Sequence, residues 1–260
     1  MINFIATVLG RVLNWTYENM ACNNYGLAII IFTITIRILL VPITLKQTKL
    51  EQKKKTILPK LNELKEKCKG DTQQYNIEAA KLYQEVNPMV GCLSVLLQLT
   101  VLWALYKVIA KPLTYMRAMD SAEITKWINL VPPEKRILGS EQLAAVAHSN
   151  LLNMNFLGTN LASVPKLEFN LLLLWPILAT VVNYISSKYV SNSAPDDETK
   201  AQSRYLLYLS PVITFIFSFK VPLGLSIYWI TSSLLQIVQQ WYVNKYVKES
   251  DSKDFGKAVG

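Results

Sequence analysis

The sequence predicts an all-α polytopic membrane protein, and three observations lead to that fold class. Residues of the set AVILMFWYC make up 51% of the 260 residues and charged residues only 17%, whereas a typical soluble domain carries about 25% charge. Five segments are apolar enough, and long enough or nearly so, to cross a hydrocarbon layer of about 30 Å. The formal net charge is +9, which suits the anionic cytoplasmic face of a membrane or a nucleic acid.

Residues 1–24 are predicted to form an amphipathic helix on the outer surface of the membrane. Apolar residues from Phe4 to Trp15 recur at helical spacing on one face, which is typical of a helix that lies in the membrane interface. A signal peptide is the alternative interpretation. It is disfavoured because no basic segment follows Met1 and because Arg11 interrupts the apolar run.

Five transmembrane helices and four connecting segments account for the rest of the chain. The predicted spans are residues 25–45, 88–110, 169–189, 205–219 and 223–243. The connecting segments are a cytoplasmic helical hairpin (46–87), an outer loop (111–168), a cytoplasmic loop (190–204) and an outer turn (220–222), and a cytoplasmic tail (244–260) ends the chain. The hairpin carries ten Lys against six acidic residues, and Gly70-Asp71 is predicted to break it into two helices.

The distribution of Lys and Arg predicts the orientation in the membrane. The hairpin, the loop 188–204 and the segment after residue 243 together hold 17 positive residues, and the other side of the membrane holds nine. Segments rich in Lys and Arg stay in the cytoplasm. The N-terminus is therefore predicted outside and the C-terminus in the cytoplasm.

The sequence contains none of the motifs that would indicate an enzyme. A Walker loop, a dinucleotide-binding fingerprint, H-E-x-x-H, G-x-S-x-G and C-x-x-C are all missing. The three cysteines are far apart, and His148 is the single histidine, so no metal-binding spacing is present. We therefore expect no enzymatic activity, no metal and no cofactor.

Arg37 is the one charged residue deep inside a predicted span. A central Arg costs about 2.5–3.5 kcal/mol on insertion scales, so we expect its guanidinium to face a wet cavity or a polar partner. One interpretation is a structural Arg bound to neighbouring helices, and the other is a site for an anionic group of a client protein. Polar residues of the spans that could share the cavity are Thr33, Gln98, Asn183, Ser186, Thr214, Ser226, Thr231, Ser232, Ser233 and Gln236.

Several motifs resemble the YidC/Oxa family of membrane protein insertases over residues 3 to 246. They are GLAIIIFTITIRILLVPITLKQ, the Lys-rich hairpin, NFLGTNL and SPVITFIFSFKVPLGLSIYWITSSLLQIVQQ. The resemblance implies a five-helix core with a hydrophilic groove that is open to cytoplasm and lipid and closed outside. It also implies that Arg37 draws polar client segments inward, that Thr33, Phe217 and Trp229 line the groove, and that the hairpin receives clients.

The resemblance is to the short, Gram-positive-like bacterial form, because the sequence shows no large periplasmic domain. Ser186 stands where many members have Gln, and the tail lacks the long basic ribosome-binding extension of mitochondrial relatives. The form implies a location in the bacterial plasma membrane. The implied partners are nascent membrane proteins and membrane lipids, with the Sec translocon and the ribosome as candidate partners and no DNA.

The sequence therefore predicts a membrane protein insertase and chaperone that works by solvating the polar parts of its clients. A small-solute transporter or channel is the alternative, which inverted repeats or paired broken helices would support, but the sequence shows no internal repeat. A purely structural scaffold is the third hypothesis, and it leaves Arg37 unexplained.

Overall fold

The computed structural model describes residues 2–68, 71–84, 90–133, 140–192 and 197–258, and within these ranges the chain is mostly helical. The helices are α1 (Ile2–Asn19), α2 (Tyr25–Lys67), α3 (Thr72–Gln84), α4 (Val90–Ala110), α5 (Pro112–Tyr115), α6 (Ser121–Asn129), α7 (Glu141–Ser149), α8 (Leu174–Asn192), α9 (Asp197–Ser218) and α10 (Leu223–Ala258). Two short antiparallel strands, β1 (Asn155–Phe156) and β2 (Thr159–Asn160), lie between α7 and α8, and the 3-10 turn Leu171–Leu173 leads into α8.

The first predicted span and the first arm of the predicted hairpin form one continuous helix, α2, of 43 residues. Its N-terminus is capped by Asn24, whose side-chain oxygen accepts a hydrogen bond from the Leu27 N–H at 3.1 Å. At 1.5 Å per residue this helix is about 65 Å long, roughly twice the hydrocarbon thickness. The second half of α2 therefore extends beyond any bilayer that the first half crosses.

Helix α3 folds back on this extension and completes a helical hairpin. Its N-terminus is capped by the Asp71 carboxylate, which accepts hydrogen bonds from the backbone N–H groups of Gln73 and Gln74, each at 3.1 Å. Leu61 of α2 and Ala79 of α3 are both buried between the two helices. Gly70, where the sequence predicts the break, lies outside the described residues.

Two helical segments of the described chain are long and apolar enough to cross a membrane, Tyr25–Lys46 and Leu171–Asn192, each of 22 residues. Leu99–Ala110 and Leu207–Ser218 are shorter apolar stretches. Helix α9 begins at Asp197, before the predicted start of the fourth span, and α10 continues past the predicted end of the fifth. The predicted mostly helical class is confirmed, and the number of spans stays a prediction.

The long helices pack in the order α9, α8, α10, α2 and α4, so that α8 lies between α9 and α10. Helix α1 packs against α4, α2 and α5. One face of α1 is buried through Ala6, Leu9, Leu13 and Tyr17. Apolar side chains on its other side, including Phe4 at 73% and Trp15 at 57%, are exposed. The helix is thus amphipathic with respect to the protein and keeps an uncovered apolar face.

The described parts of the predicted outer loop, 111–133 and 140–168, join the same hydrophobic core as the long helices. Leu113, Leu143, Leu152 and Leu161 are buried in one cluster with Phe32 of α2. Helix α7 occupies the segment near Ser140–Leu152 in which the sequence indicates a helical patch. The loop is therefore a compact cap on one end of the helix bundle.

Candidate functional site

Arg37 lies on α2 with its guanidinium against α10. Its Nη2 donates a hydrogen bond to the Ser232 hydroxyl at 2.5 Å, and its Nη1 is 3.5 Å from the side-chain oxygen of Gln239. Tyr228, one turn before Ser232 on α10, is also buried. Because 232 and 239 are seven residues apart, they lie two turns apart on the same side of α10. The expectation of polar partners for this Arg is thus met by a row of neutral groups on α10.

No carboxylate balances the Arg37 charge among the residues that the structure describes. The salt bridge found in these ranges joins Arg117, just after α5, and Glu18 of α1 at 2.6 Å. The partners of Arg37 are a hydroxyl and an amide oxygen, which carry no formal charge. The site therefore presents a positive charge whose counter-charge is not supplied by the described part of the chain.

Two further polar contacts extend from α10 across α8 to α9. Ser186 of α8 donates a hydrogen bond to the side-chain oxygen of Gln236 at 3.3 Å, and Ser210 of α9 donates to that of Asn183 at 3.0 Å. Gln236 lies between the two Arg37 partners on α10. The seven residues Arg37, Ser232, Gln236, Gln239, Ser186, Asn183 and Ser210 thus form a continuous row over four helices, which we name the polar band.

Other residues singled out from the sequence lie near this band without joining it. The Thr33 hydroxyl is buried and donates to the Ile29 carbonyl at 2.6 Å, so its hydrogen bond is used within α2. Thr214 is buried, and its carbonyl accepts from Ser218 at 2.7 Å. Ser233 is buried next to Ser232.

The three remaining site residues differ in their surroundings. Phe217 is 48% exposed on α9, and Trp229 packs against the main hydrophobic cluster. The side chain of Gln98 lies outside the described residues. Neither Phe217 nor Trp229 belongs to the polar band, so their assignment to the groove stays a prediction.

The sequence patterns do not indicate every residue of the site. The polar band contains two such residues, Gln239 and Ser210, and Tyr228 lies beside it. A signal for Gln239 exists, because it repeats the position of Ser232 at a seven-residue interval on a predicted helix. Ser210 carries no such signal, since only the packing of α8 on α9 brings it to Asn183.

Comparison with known proteins extends over nearly the whole chain. The family model for the 60Kd inner membrane protein matches residues 15–251. A membrane protein insertase YidC of Fusobacterium nucleatum is 31% identical over 245 residues, which cover 94% of this chain and 96% of the relative. One of Caldanaerobacter subterraneus is 34% identical, also over 94% of this chain and 96% of the relative.

Longer relatives match over the same part of this chain. A membrane protein insertase YidC of Syntrophobacter fumaroxidans is 31% identical over 94% of this chain but over only 38% of its own length. The matched residues include all of α2 and the complete polar band. This chain belongs to the 60Kd inner membrane protein family, which includes the YidC insertases that its motifs resemble.

Proposed function

We propose that this protein is a membrane protein insertase and chaperone, which brings polar segments of nascent membrane proteins into the bilayer through a positively charged groove. The observation that carries this proposal is the Arg37 guanidinium, held between apolar helices by Ser232 and Gln239 without a described carboxylate partner. Membership of the family that contains the YidC insertases supports the same function.

The physical role of the groove is to lower the cost of desolvating a client. A charged side chain in hydrocarbon is expensive, and a polar group buried without a partner costs a few kcal/mol. A carboxylate of the client about 4 Å from Arg37 would gain roughly 4 kcal/mol of Coulomb energy at an effective dielectric constant of 20. The fork of the guanidinium can also bind a carboxylate with two parallel hydrogen bonds.

The neutral partners of Arg37 make this exchange favourable. Ser232 accepts a hydrogen bond from the guanidinium, with Gln239 at the limit of hydrogen-bond distance, and neutral acceptors bind it less strongly than a carboxylate does. A client with an acidic tail therefore displaces them, and they take Arg37 back when the client leaves. The polar band along α10 and α8 offers further hydrogen bonds to the peptide groups of the client.

The same proposal includes five spans at 25–45, 88–110, 169–189, 205–219 and 223–243 in the bacterial inner membrane. It places the N-terminus outside and the C-terminus in the cytoplasm, as the Lys and Arg distribution favours. The hairpin formed by the second half of α2 and by α3 then projects into the cytoplasm and receives clients. The Sec translocon and the ribosome are candidate partners, and no covalent chemistry or cofactor is required.

Reconstitution of the purified full chain into liposomes tests the proposal. A single-span client with an acidic N-terminal tail should become protease-protected in these liposomes and much less so in empty ones. The same liposomes should show no flux of small solutes. Protection of the client that is equal with and without the protein would contradict the insertase, and solute flux without client insertion would favour a transporter or channel.

A further inference from the structure

The outer loop contains a short hairpin that is hydrogen-bonded to the beginning of α2. The Asn153 carbonyl accepts a hydrogen bond from the backbone N–H of Tyr25 at 3.0 Å. The Asn24 side-chain amide donates to the Asn155 carbonyl at 3.0 Å. The first arm of this hairpin, made of β1 and the residues just before it, thus binds the N-terminus of the helix that carries Arg37.

The second arm of the same hairpin, in the residues just after β2, is bonded to the beginning of α10. The Leu161 carbonyl accepts from the Gly224 N–H at 3.1 Å, and the Ser163 carbonyl accepts from the Leu223 N–H at 2.9 Å. The two arms are joined to each other by the Leu161 N–H, which donates to the Met154 carbonyl at 2.9 Å. We name residues 153–163 the outer bracket.

These hydrogen bonds supply acceptors for backbone N–H groups at the starts of the two helices. The first four N–H groups of a helix have no partner within the helix, and the partial positive charge at the N-terminus favours carbonyl oxygens there. Because one hairpin supplies the acceptors for both α2 and α10, the starts of the two helices are held to the two arms of the same hairpin. The backbone pairing of these arms limits the movement of one helix end relative to the other.

Side-chain packing makes this attachment rigid. The Phe156 ring lies directly on the backbone of Gly26 in α2, where a Cβ would come within 2.4 Å of ring atoms and 2.8 Å of the Phe156 Cβ. The same ring packs against Trp175 of α8 with 6.2 Å between centroids. A side chain larger than hydrogen at position 26 would therefore displace the strand and not only the end of a flexible side chain.

We propose that the outer bracket is a positioning element for Arg37, which sets the axial register of α2 against α10. From the helix starts, Arg37 lies about 18 Å along α2, and Ser232 and Gln239 lie about 14 Å and 24 Å along α10. The guanidinium thus falls at a level between its two partners. A slip of one residue moves the helices by about 1.5 Å, enough to lengthen a hydrogen bond beyond its normal range.

Crosslinking of cysteine pairs measures this register directly. In a chain whose three native cysteines are replaced by Ser, Arg37→Cys is combined with Ser232→Cys or with Gln236→Cys, one turn further along α10. With a short bismaleimide, the yield of the pair at 37 and 232 divided by that of the pair at 37 and 236 reports the register, because residue 37 at about 18 Å lies between 232 at about 14 Å and 236 at about 20 Å. Adding Gly26→Val should lower the ratio of the two yields about tenfold, equivalent to about 1.4 kcal/mol. Adding Phe156→Ala to Gly26→Val should restore the ratio to the value of Phe156→Ala alone.

Leu27→Val is the matched control, because this neighbouring side chain is 41% exposed; it should leave the ratio unchanged. An unchanged ratio in Gly26→Val would overturn the inference. If that variant does not reach the membrane, Phe156→Ala alone should lower the ratio by a smaller factor, and a wild-type ratio there would overturn the inference equally.

A second measurement, of client insertion, rests on the proposed function. The crosslinking measurement of the register does not depend on it. Gly26→Val in a chain that retains Arg37 should insert clients with acidic tails less efficiently, and clients without charged tails at the wild-type level. A shifted register with undiminished insertion of acidic clients would uphold the bracket and overturn the role of a positioned charge. Equal losses for both client types would indicate general instability and overturn the positioning role.

Discussion

Replacing Arg37 with Leu should abolish insertion of clients with acidic tails while leaving the protein as stable as before. The change removes the charge and keeps an apolar side chain of helix-forming type. A structural Arg and a functional Arg make opposite predictions here. The first predicts loss of stability together with activity, and the second predicts loss of activity alone.

The expected change in stability follows from the contacts of the guanidinium. A central Arg costs about 2.5–3.5 kcal/mol relative to apolar residues. The hydrogen bond to Ser232 at 2.5 Å returns about 1.5–3 kcal/mol, as is typical of bonds to charged groups. The contact to Gln239 at 3.5 Å is at the limit of hydrogen-bond geometry and returns little. The cost of burying Arg37 and the free energy returned by its hydrogen bonds differ by at most about 2 kcal/mol. Arg37→Leu should therefore leave the stability of the protein unchanged or raise it.

Thermal unfolding of the purified protein in detergent measures the stability, and protease protection of a client in liposomes measures the activity. Thr35→Leu is the matched control, because Thr35 is exposed on the same helix and its hydroxyl donates to the Ile31 carbonyl at 3.0 Å. It should change neither quantity. A marked fall in the unfolding temperature of Arg37→Leu, with none in Thr35→Leu, would refute the reasoning and make Arg37 a structural residue.

Further predictions concern the two faces of the membrane and the packing around the bundle. In vesicles, an impermeant maleimide should label Cys22 and Cys68 from opposite faces, and labelling from one face would contradict the topology. Desolvation and nearby carboxylates raise the pKa of the Cys68 thiol, so its alkylation should need a higher pH than that of a free thiol, and Glu78→Gln should lower that pH. Leu61→Asp should make only the cytoplasmic hairpin sensitive to protease, because Leu61 is 5% exposed between its helices; cleavage throughout the chain would contradict an independent hairpin. Gly10→Val should lower the unfolding free energy by about 1–3 kcal/mol, because a Cβ there would meet a backbone oxygen of α5. Denaturation in detergent measures this change, and unchanged stability would contradict the packing of α1.

The helical class and the neutral partners of Arg37 could be predicted because both depend on local composition. Apolar runs of span length allow few structures in a bilayer other than helices. A charge within such a run requires polar neighbours, and the hydroxyls of the last span supply one in Ser232. The resemblance to the family implies that Arg37 lies in a groove, which stays a prediction, whereas the sequence pattern alone is compatible with both a structural and a functional Arg.

The choice between adjacent positions could not be predicted, because it depends on how the helices are rotated against each other. Ser232 and Ser233 are neighbours in sequence, but only Ser232 bonds to Arg37. Asn183 and Ser186 were expected to share the cavity of Arg37, and the structure joins them to different partners on α9 and α10. Hydropathy likewise indicates where a segment leaves the bilayer and not where its helix ends. It therefore does not predict that α2 continues without a break to Lys67.

The outer bracket could not be predicted because its contacts join distant parts of the chain. Asn24 and Asn155 are separated by 131 positions, and their bond uses a backbone carbonyl, which carries no residue-specific signal. In the sequence, the motif NFLGTNL indicates only the family resemblance. Its geometric role follows from the hydrogen bonds that join the two arms of the hairpin to the starts of α2 and α10.

A charge-swap experiment in liposomes tests the central claim most directly. Two versions of one single-span client, with an acidic or a basic N-terminal tail, are offered to the wild-type protein and to its Arg37→Glu variant, and the protected fraction of each client is measured. If Arg37 acts by attracting an anionic client segment, the wild type should favour the acidic tail and Arg37→Glu the basic one. The same preference in both proteins would contradict a role for the charge of Arg37 in insertion.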